Sequence, residues 1–172
     1  MQTSLYSVTI PMFQNALKAL SGVLDKAVAH AAEKGVDPDT YLTKQLAPDQ
    51  FPFVKQIQIA CDHLKAFPFR MKGEEVPSVP DTETTIAELK MRIAHTLKIL
   101  EEVKPEDINA NEDQKIRFSY FPGKHLTGYG YTTGYLIPNF FFHMTTAYSI
   151  LRHEGVPLGK ADYIGMLPLN DD

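Results

Sequence analysis

Residues 139–152 read Asn139-Phe140-Phe141-Phe142-His143-Met144-Thr145-Thr146-Ala147-Tyr148-Ser149-Ile150-Leu151-Arg152. This is a nearly continuous apolar segment with two polar side chains, Asn139 and His143, four residues apart. In a helix that spacing stacks both on one face. Polar groups on a buried helix need partners. A metal ion is one such partner, with His63 of an earlier helix as a further ligand. Ordinary hydrogen bonding at the edge of the core is the other reading of the same two histidines.

Three more helical patterns surround this one. Met12, Phe13, Ala16, Leu17, Leu20, Val23, Leu24, Ala27, Val28 and Ala31 follow helical spacing over residues 12–32. Pro11 suits a first turn, so a separate turn from Ser4 to Val8 is expected to join this helix through a kink. A second helix is expected from about Pro52 to Phe67, with Phe53, Val54, Ile57, Ala60, Cys61 and Leu64 as its apolar stripe, His63 at the margin, and Pro68 ending it. A third carries Ile86, Leu89, Ile93, Leu97 and Leu100, with Asp81 or Thr82 as N-cap and Pro105 beyond its end. Between the third and last helices the period changes. Ile116, Phe118 and Tyr120 alternate with polar residues, Phe121-Pro122-Gly123-Lys124 resembles a turn, and Leu126 to Tyr135 is rich in Gly, Thr and Tyr. A β-hairpin or extended insertion is expected there. Gly155 and Pro157 close the last helix, and the tail from Ala161 to Pro168 is expected to be irregular. The fold class is therefore all-α: a four-helix bundle in one domain, residues 1–172, with the insertion before the last helix.

Composition narrows the function. The chain has 172 residues, 44% apolar and 22% charged, with a net charge of −4 from 17 basic and 21 acidic residues. No basic block stands out, which argues against nucleic acid as the main partner. No stretch approaches the roughly 20 apolar residues of a membrane span, so no membrane association is expected. The beginning of the chain, MQTSLYSVTIPMF, shows no secretory pattern, and one cysteine, Cys61, allows no internal disulfide. The expectation is a cytoplasmic protein.

Chemistry is sought in the histidines and tyrosines. His63 and His143 on facing helices suit Zn, Ni, Fe or Cu, and Asn139 adds a weaker oxygen donor. A catalytic zinc site normally has three protein ligands and an open position, and only two strong ligands are visible here. His30 and His153 fall at helix C-terminal ends, where a cation is favourable. His95 lies off its apolar stripe, and His125 follows the turn. Asp62 points about 100° away from His63 around its helix. Cys61 reads as a small core residue. Tyr120, Tyr129, Tyr131 and Tyr135 either line a pocket or form the packing face of the insertion.

The run from His143 through Leu151-Arg152 to Gly155 resembles the last helix of the DinB/YfiT-like four-helix-bundle superfamily, in which H-x-x-x-H-R-G-Q is followed by an apolar run and L-R-x-x-G. Asn139 falls on the first histidine of that pattern, and Met144-Thr145-Thr146 stands where Arg-Gly-Gln is common. His63, within Ala60-Cys61-Asp62-His63-Leu64, matches the histidine of the second helix. Thr84 to Leu89, Asn139 to His143 and Leu158 to Gly165 resemble an uncharacterised branch, a domain of unknown function, across nearly the whole chain. The resemblance implies a divalent metal (Zn, Ni or Fe) at the bundle mouth, held here by His63, His143 and Asn139 in a degenerate site. It also implies frequent homodimers, and relatives that act as thiol S-transferases or isomerases. Two function classes follow. One is a metal-dependent enzyme, thiol S-transferase or hydrolase-like. The other is a metal-free bundle that binds a small-molecule ligand or acts as a homodimeric interaction module.

Overall fold

A computed structural model describes residues 3–170. Among these residues the secondary structure is helical: α1 (Leu5–Lys34), a 3₁₀ turn (Pro38–Thr43), α2 (Phe53–Lys72), α3 (Ile86–Glu101), α4 (Pro105–Asn109), α5 (Gly128–Tyr131), a π-helical turn (Thr132–Leu136), α6 (Ile137–His153) and α7 (Lys160–Ile164). α2 packs between α6 and α3, and α1 packs on α3, α6 and α7. The facing apolar stripes meet in one core. Its centre holds Phe13, Leu17, Leu20, Ile57, Leu64, Phe67 and Phe140, all essentially inaccessible to solvent. Phe13 meets Phe140 and Phe67 edge-on, with ring centroids 5.4 and 6.0 Å apart.

Both prolines expected to mark helix ends lie inside helices. α1 runs unbroken from Leu5 through Pro11, and α2 runs through Pro68 to Lys72. An internal proline costs about 3 kcal/mol through a lost ladder bond and a steric clash. Against that stand Ile10 and Phe13 beside Pro11, and Phe67 and Met71 beside Pro68, all buried. Full burial of each such side chain stabilises by about 1.5–3 kcal/mol, so burial on both sides of the proline outweighs the local penalty. The true ends are set by capping. Ser4 and Ser7 cap α1 reciprocally, and Gly35 and Gly73, at φ 67° and 71°, terminate α1 and α2 in the left-handed region that favours glycine. The N-cap of α3 is Thr85, not Asp81 or Thr82: Thr85 Oγ1 accepts from the Glu88 N–H at 3.1 Å, and Glu88 Oε2 accepts from the Thr85 N–H at 3.1 Å. Asp81 is engaged by Lys55 and Arg92 instead. Pro105 does lie beyond α3, and it starts α4.

The expected β-hairpin is absent. Among the described residues there is no strand, and one antiparallel bridge joins Ile116 to Leu126. From Gly128 the chain is helical through to His153. Thr127 caps this run by accepting from the Gly130 N–H at 3.0 Å, and Thr132 Oγ1 donates back to the Gly128 carbonyl at 2.7 Å. Glycine is required at 128, because a Cβ there would lie 2.2 Å from the Asn111 carbonyl oxygen. Burial of Tyr131, Thr132 and Leu136 overrides the poor helix propensity of the Gly-Thr-Tyr composition. The π turn widens the helix just ahead of Pro138, where the ladder must lose a donor in any case. The tail is also more ordered than expected. α7 docks on α1 through Lys26–Asp162 (2.7 Å) and through Asn15, which donates to the Ile164 carbonyl at 2.8 Å.

Candidate functional site

The packing of α2 on α6 opposes two polar ladders. α2 presents Gln56, His63 and Arg70 at seven-residue intervals, two helical turns apart and hence on one face. The α5–π–α6 run presents Tyr131, Tyr135, Asn139 and His143 at four-residue steps. The ladders run in opposite directions. Gln56 meets His143, His63 lies against His143 and Tyr135, and Arg70 shares a pocket with Tyr131.

His63 and His143 come together as expected, with ring centroids 6.0 Å apart and planes inclined by 29°. His143 is buried, and its Nδ1 lies 2.7 Å from Gln56 Oε1. The Gln56 amide is itself oriented: its Nε2 donates to the Phe51 carbonyl at 2.8 Å, so Oε1 is the accepting end. His143 Nδ1 therefore carries the proton and Nε2 is left with its lone pair. Burial, then the neighbouring His143, push the His63 imidazole down to about 4. Burial also lowers His143. Both rings are neutral near pH 7. Asn139 is half-buried, and its Nδ2 donates to the Tyr135 carbonyl at 2.9 Å, which leaves Oδ1 as the unengaged end.

This donor set fits a divalent ion in its chemistry. Two neutral imidazoles, one with its far nitrogen tied to an amide oxygen, are joined by a spare amide oxygen. Strong donors number two, since the described residues contain no cluster of three His, Cys, Asp or Glu suited to a metal.

Next to the imidazoles lies a cleft of about 190 Å³ between α2, α5 and the segment around Phe118. His63, Arg70, Phe118, Tyr120, Tyr131 and Tyr135 line it, with Asp62 at its border. The Phe118 ring is 4.9 Å from Tyr135 and 5.1 Å from Tyr120, so the walls are aromatic. The Tyr120 and Tyr135 hydroxyls are 2.7 Å apart. Burial, then that contact, raises Tyr120 to about 12. Three of the four tyrosines singled out in the sequence thus line one pocket. Tyr129 is exposed and stands apart.

The remaining expectations divide. Asp62 borders the cleft, and its carboxylate is taken by Arg92 and Lys65. Cys61 is a core residue whose thiol burial pushes up to about 12. His30 is buried and shares a hydrogen bond of 2.8 Å with the Tyr41 hydroxyl. His95 and His153 are exposed, and His125 lines a separate cleft with Phe121 and Lys124. Gln56 and Arg70 were not singled out in the sequence. Their seven-residue spacing about His63 was the signal available.

The chain matches the family described as a domain of unknown function, DUF1993, over residues 5–164. The protein belongs to the DUF1993 family. It is also similar to a DinB family member protein from Shewanella denitrificans, known from a crystal structure. The two share 44% identity and superpose with a TM-score of 0.93, over 98% of this chain and 96% of that one. This DUF1993 protein is thus a DinB-like protein of all-helical fold. No protein with a curated description matches it. No helix among the described residues is long and apolar enough to cross a membrane.

Proposed function

We propose that this DUF1993 protein is a metal-dependent enzyme acting on a small molecule, thiol S-transferase or hydrolase-like in its chemistry. Its four long helices form a DinB-type four-helix bundle with a degenerate centre. His63 and His143 would supply two nitrogen ligands and Asn139 Oδ1 an oxygen, for an ion of the Zn, Ni or Fe class. The observation that carries this reading is the fixed tautomer of His143. Its Nδ1–H is held by Gln56 Oε1 at 2.7 Å, the outer contact that metal-bound imidazoles usually make. When bound, the ion would supply Lewis-acid activation of a thiol or a water. The chain's own part is to keep both imidazoles unprotonated through burial, to orient His143 through Gln56, and to admit substrate from the aromatic cleft beside His63.

The test is metal content and affinity of untagged protein after incubation with Zn²⁺ or Ni²⁺. About one equivalent is expected in the wild type. Loss is expected in the His63→Ala/His143→Ala variant. Gln56→Leu is expected to weaken affinity about 10–100-fold while keeping the stoichiometry. Less than about a tenth of an equivalent in the wild type would overturn the reading.

A homodimeric module is the second reading, and one observation favours it. Leu46 and Phe142, 45% and 58% exposed, share a shallow depression with Phe141 and Thr145 on the outer side of α6. Sedimentation at micromolar concentration tests it, and a clean monomer removes it.

A further inference from the structure

The far end of the aromatic cleft holds two polar groups that the imidazole pair does not use. Tyr131 is fully buried, and its hydroxyl is the one buried side-chain polar atom without a hydrogen-bond partner among the described residues. Leaving such a group unsatisfied is strongly unfavourable, so native proteins rarely do so without a reason. Arg70 is half-buried, and its guanidinium lies 4.8 Å from the centre of the Phe118 ring. No carboxylate pairs with it among the described residues, whereas Arg92 on α3 is met by three. Arg70 and Tyr131 line the same cleft, so an unneutralised cation and an unused O–H donor lie beside one space. Phe118, Tyr120 and Tyr135 wall that space with ring faces.

We infer that this cleft binds a small aromatic monocarboxylate, with benzoate as the minimal probe. A guanidinium can take both oxygens of a planar carboxylate, and the Tyr131 O–H completes the shell of one oxygen. The aromatic walls take the ring by offset or edge contacts. A cleft of about 190 Å³ matches a single ring with its carboxylate, given that a cavity of about 150 Å³ admits benzene. The one carboxylate of the lining, Asp62, is already paired with Arg92 and Lys65, so a single spare cation between aromatic walls suits a monoanion rather than a phosphate, which carries more charge and a thicker hydration shell. That such a ligand is the substrate of the imidazole centre rests on the function proposed above. Binding itself needs no metal.

The experiment is a titration of benzoate into chelator-treated full-length protein, read by calorimetry and by tyrosine fluorescence, which no tryptophan obscures. Saturable 1:1 binding is expected. Benzamide, the neutral isostere, is expected to bind at least about tenfold more weakly, and inorganic phosphate is expected not to compete. Arg70→Met should reduce affinity about a hundredfold, and Tyr131→Phe about tenfold. If Arg70→Met does not fold, Tyr131→Phe and the benzamide comparison carry the test. Failure of the wild type to bind benzoate, equal binding of benzamide, or unchanged affinity in Tyr131→Phe would each overturn the inference. Because metal is absent throughout, these outcomes are distinct from failure of the metal centre, which is read from metal content alone.

Discussion

Arg92 and Arg70 both lie against α2 and have opposite surroundings. Arg92 reaches α2 from α3, with its side chain only 4% exposed, and meets Asp62, Asp81 and Glu83 at 2.8–2.9 Å. Gln58 donates to the second oxygen of Glu83 at 2.8 Å. Every member of that cluster is paired. Arg70 leaves α2 toward the cleft, where it meets a ring face and, beyond it, a hydroxyl with no partner. The two environments diverge at adjacent residues. Asp62 and His63 lie about 100° apart on α2, with Asp62 pairing with Arg92 where the network borders the cleft and His63 lining the cleft outside that network. Polar groups that satisfy one another stabilise a fold. Polar groups held together but left unsatisfied mark where a ligand belongs.

The sharpest way to break this comparison is to remove each arginine in turn. Arg92→Met leaves Glu83, 10% exposed, with an uncompensated charge. Breaking a buried pair costs about 3–5 kcal/mol. Asp62 and Asp81 are 40% and 34% exposed and regain water, so about 3 kcal/mol is the appropriate figure. For a chain of this size that lowers Tm by roughly 6–12 °C. Arg70→Met is expected to change stability by less than about 1 kcal/mol, because no charge loses its partner. Thermal or urea unfolding measures both. Equal losses would show that Arg70 is structural and that the contrast is false.

Acid separates the two environments next. Against the opposing effect of burial, Arg92 and Gln58 hold Glu83, and Lys55 with Arg92 holds Asp81, below their ordinary range. A carboxylate depressed in the folded state contributes stability that is complete above its unfolded value. That stability is lost as pH falls through the folded value. For these two residues the loss sets in below pH 4.5, the ordinary value for Glu83. His63 acts higher. Its imidazole is held at about 4 against an ordinary 6.5, so the unfolded chain binds the proton first and metal-free protein loses stability from pH 6.5 down toward 4. Urea midpoints against pH should therefore show two limbs. Arg92→Met should flatten the lower one, and His63→Leu the upper. A single limb unaffected by His63→Leu would mean that His63 is freely solvated.

How much of this was readable beforehand depends on the range of the forces involved. The apolar spacing of Leu17, Leu20 and Leu24, and of Ile57, Cys61 and Leu64, reports helices directly, because burial and period are the same signal. Pro11 and Pro68 misled because their penalty is local, while the burial that outweighs it comes from other helices. The Gly-Thr-Tyr run misled for the same reason. Ile116, Phe118 and Tyr120 alternate like a strand, but only Ile116 finds a partner, and the residues after Thr127 are drawn into helix by the burial of Tyr131 and Leu136. His63 and His143 were legible as a facing pair because each lies on a helix of clear phase. Gln56 and Arg70 share the phase of His63 and were equally available. The unpaired hydroxyl of Tyr131 was not, since burial without a partner arises only once the segment around Phe118 closes over it.

That hydroxyl supports the smallest and most diagnostic prediction. Tyr131→Phe removes one oxygen from a fully buried site where it makes no hydrogen bond. Most buried Tyr→Phe changes delete a bond and lose stability. Here the change deletes a desolvated donor and keeps the ring contacts with Phe67 and Phe118. A gain of about 1 kcal/mol is expected, a rise in Tm of roughly 2–4 °C. Equilibrium unfolding of metal-free, ligand-free protein measures it. A loss of similar size would show that the hydroxyl already has a partner, such as a bound water, and that the cleft is satisfied without a ligand. A gain in stability together with weaker carboxylate binding would show that the oxygen is retained for its ligand at the expense of the fold.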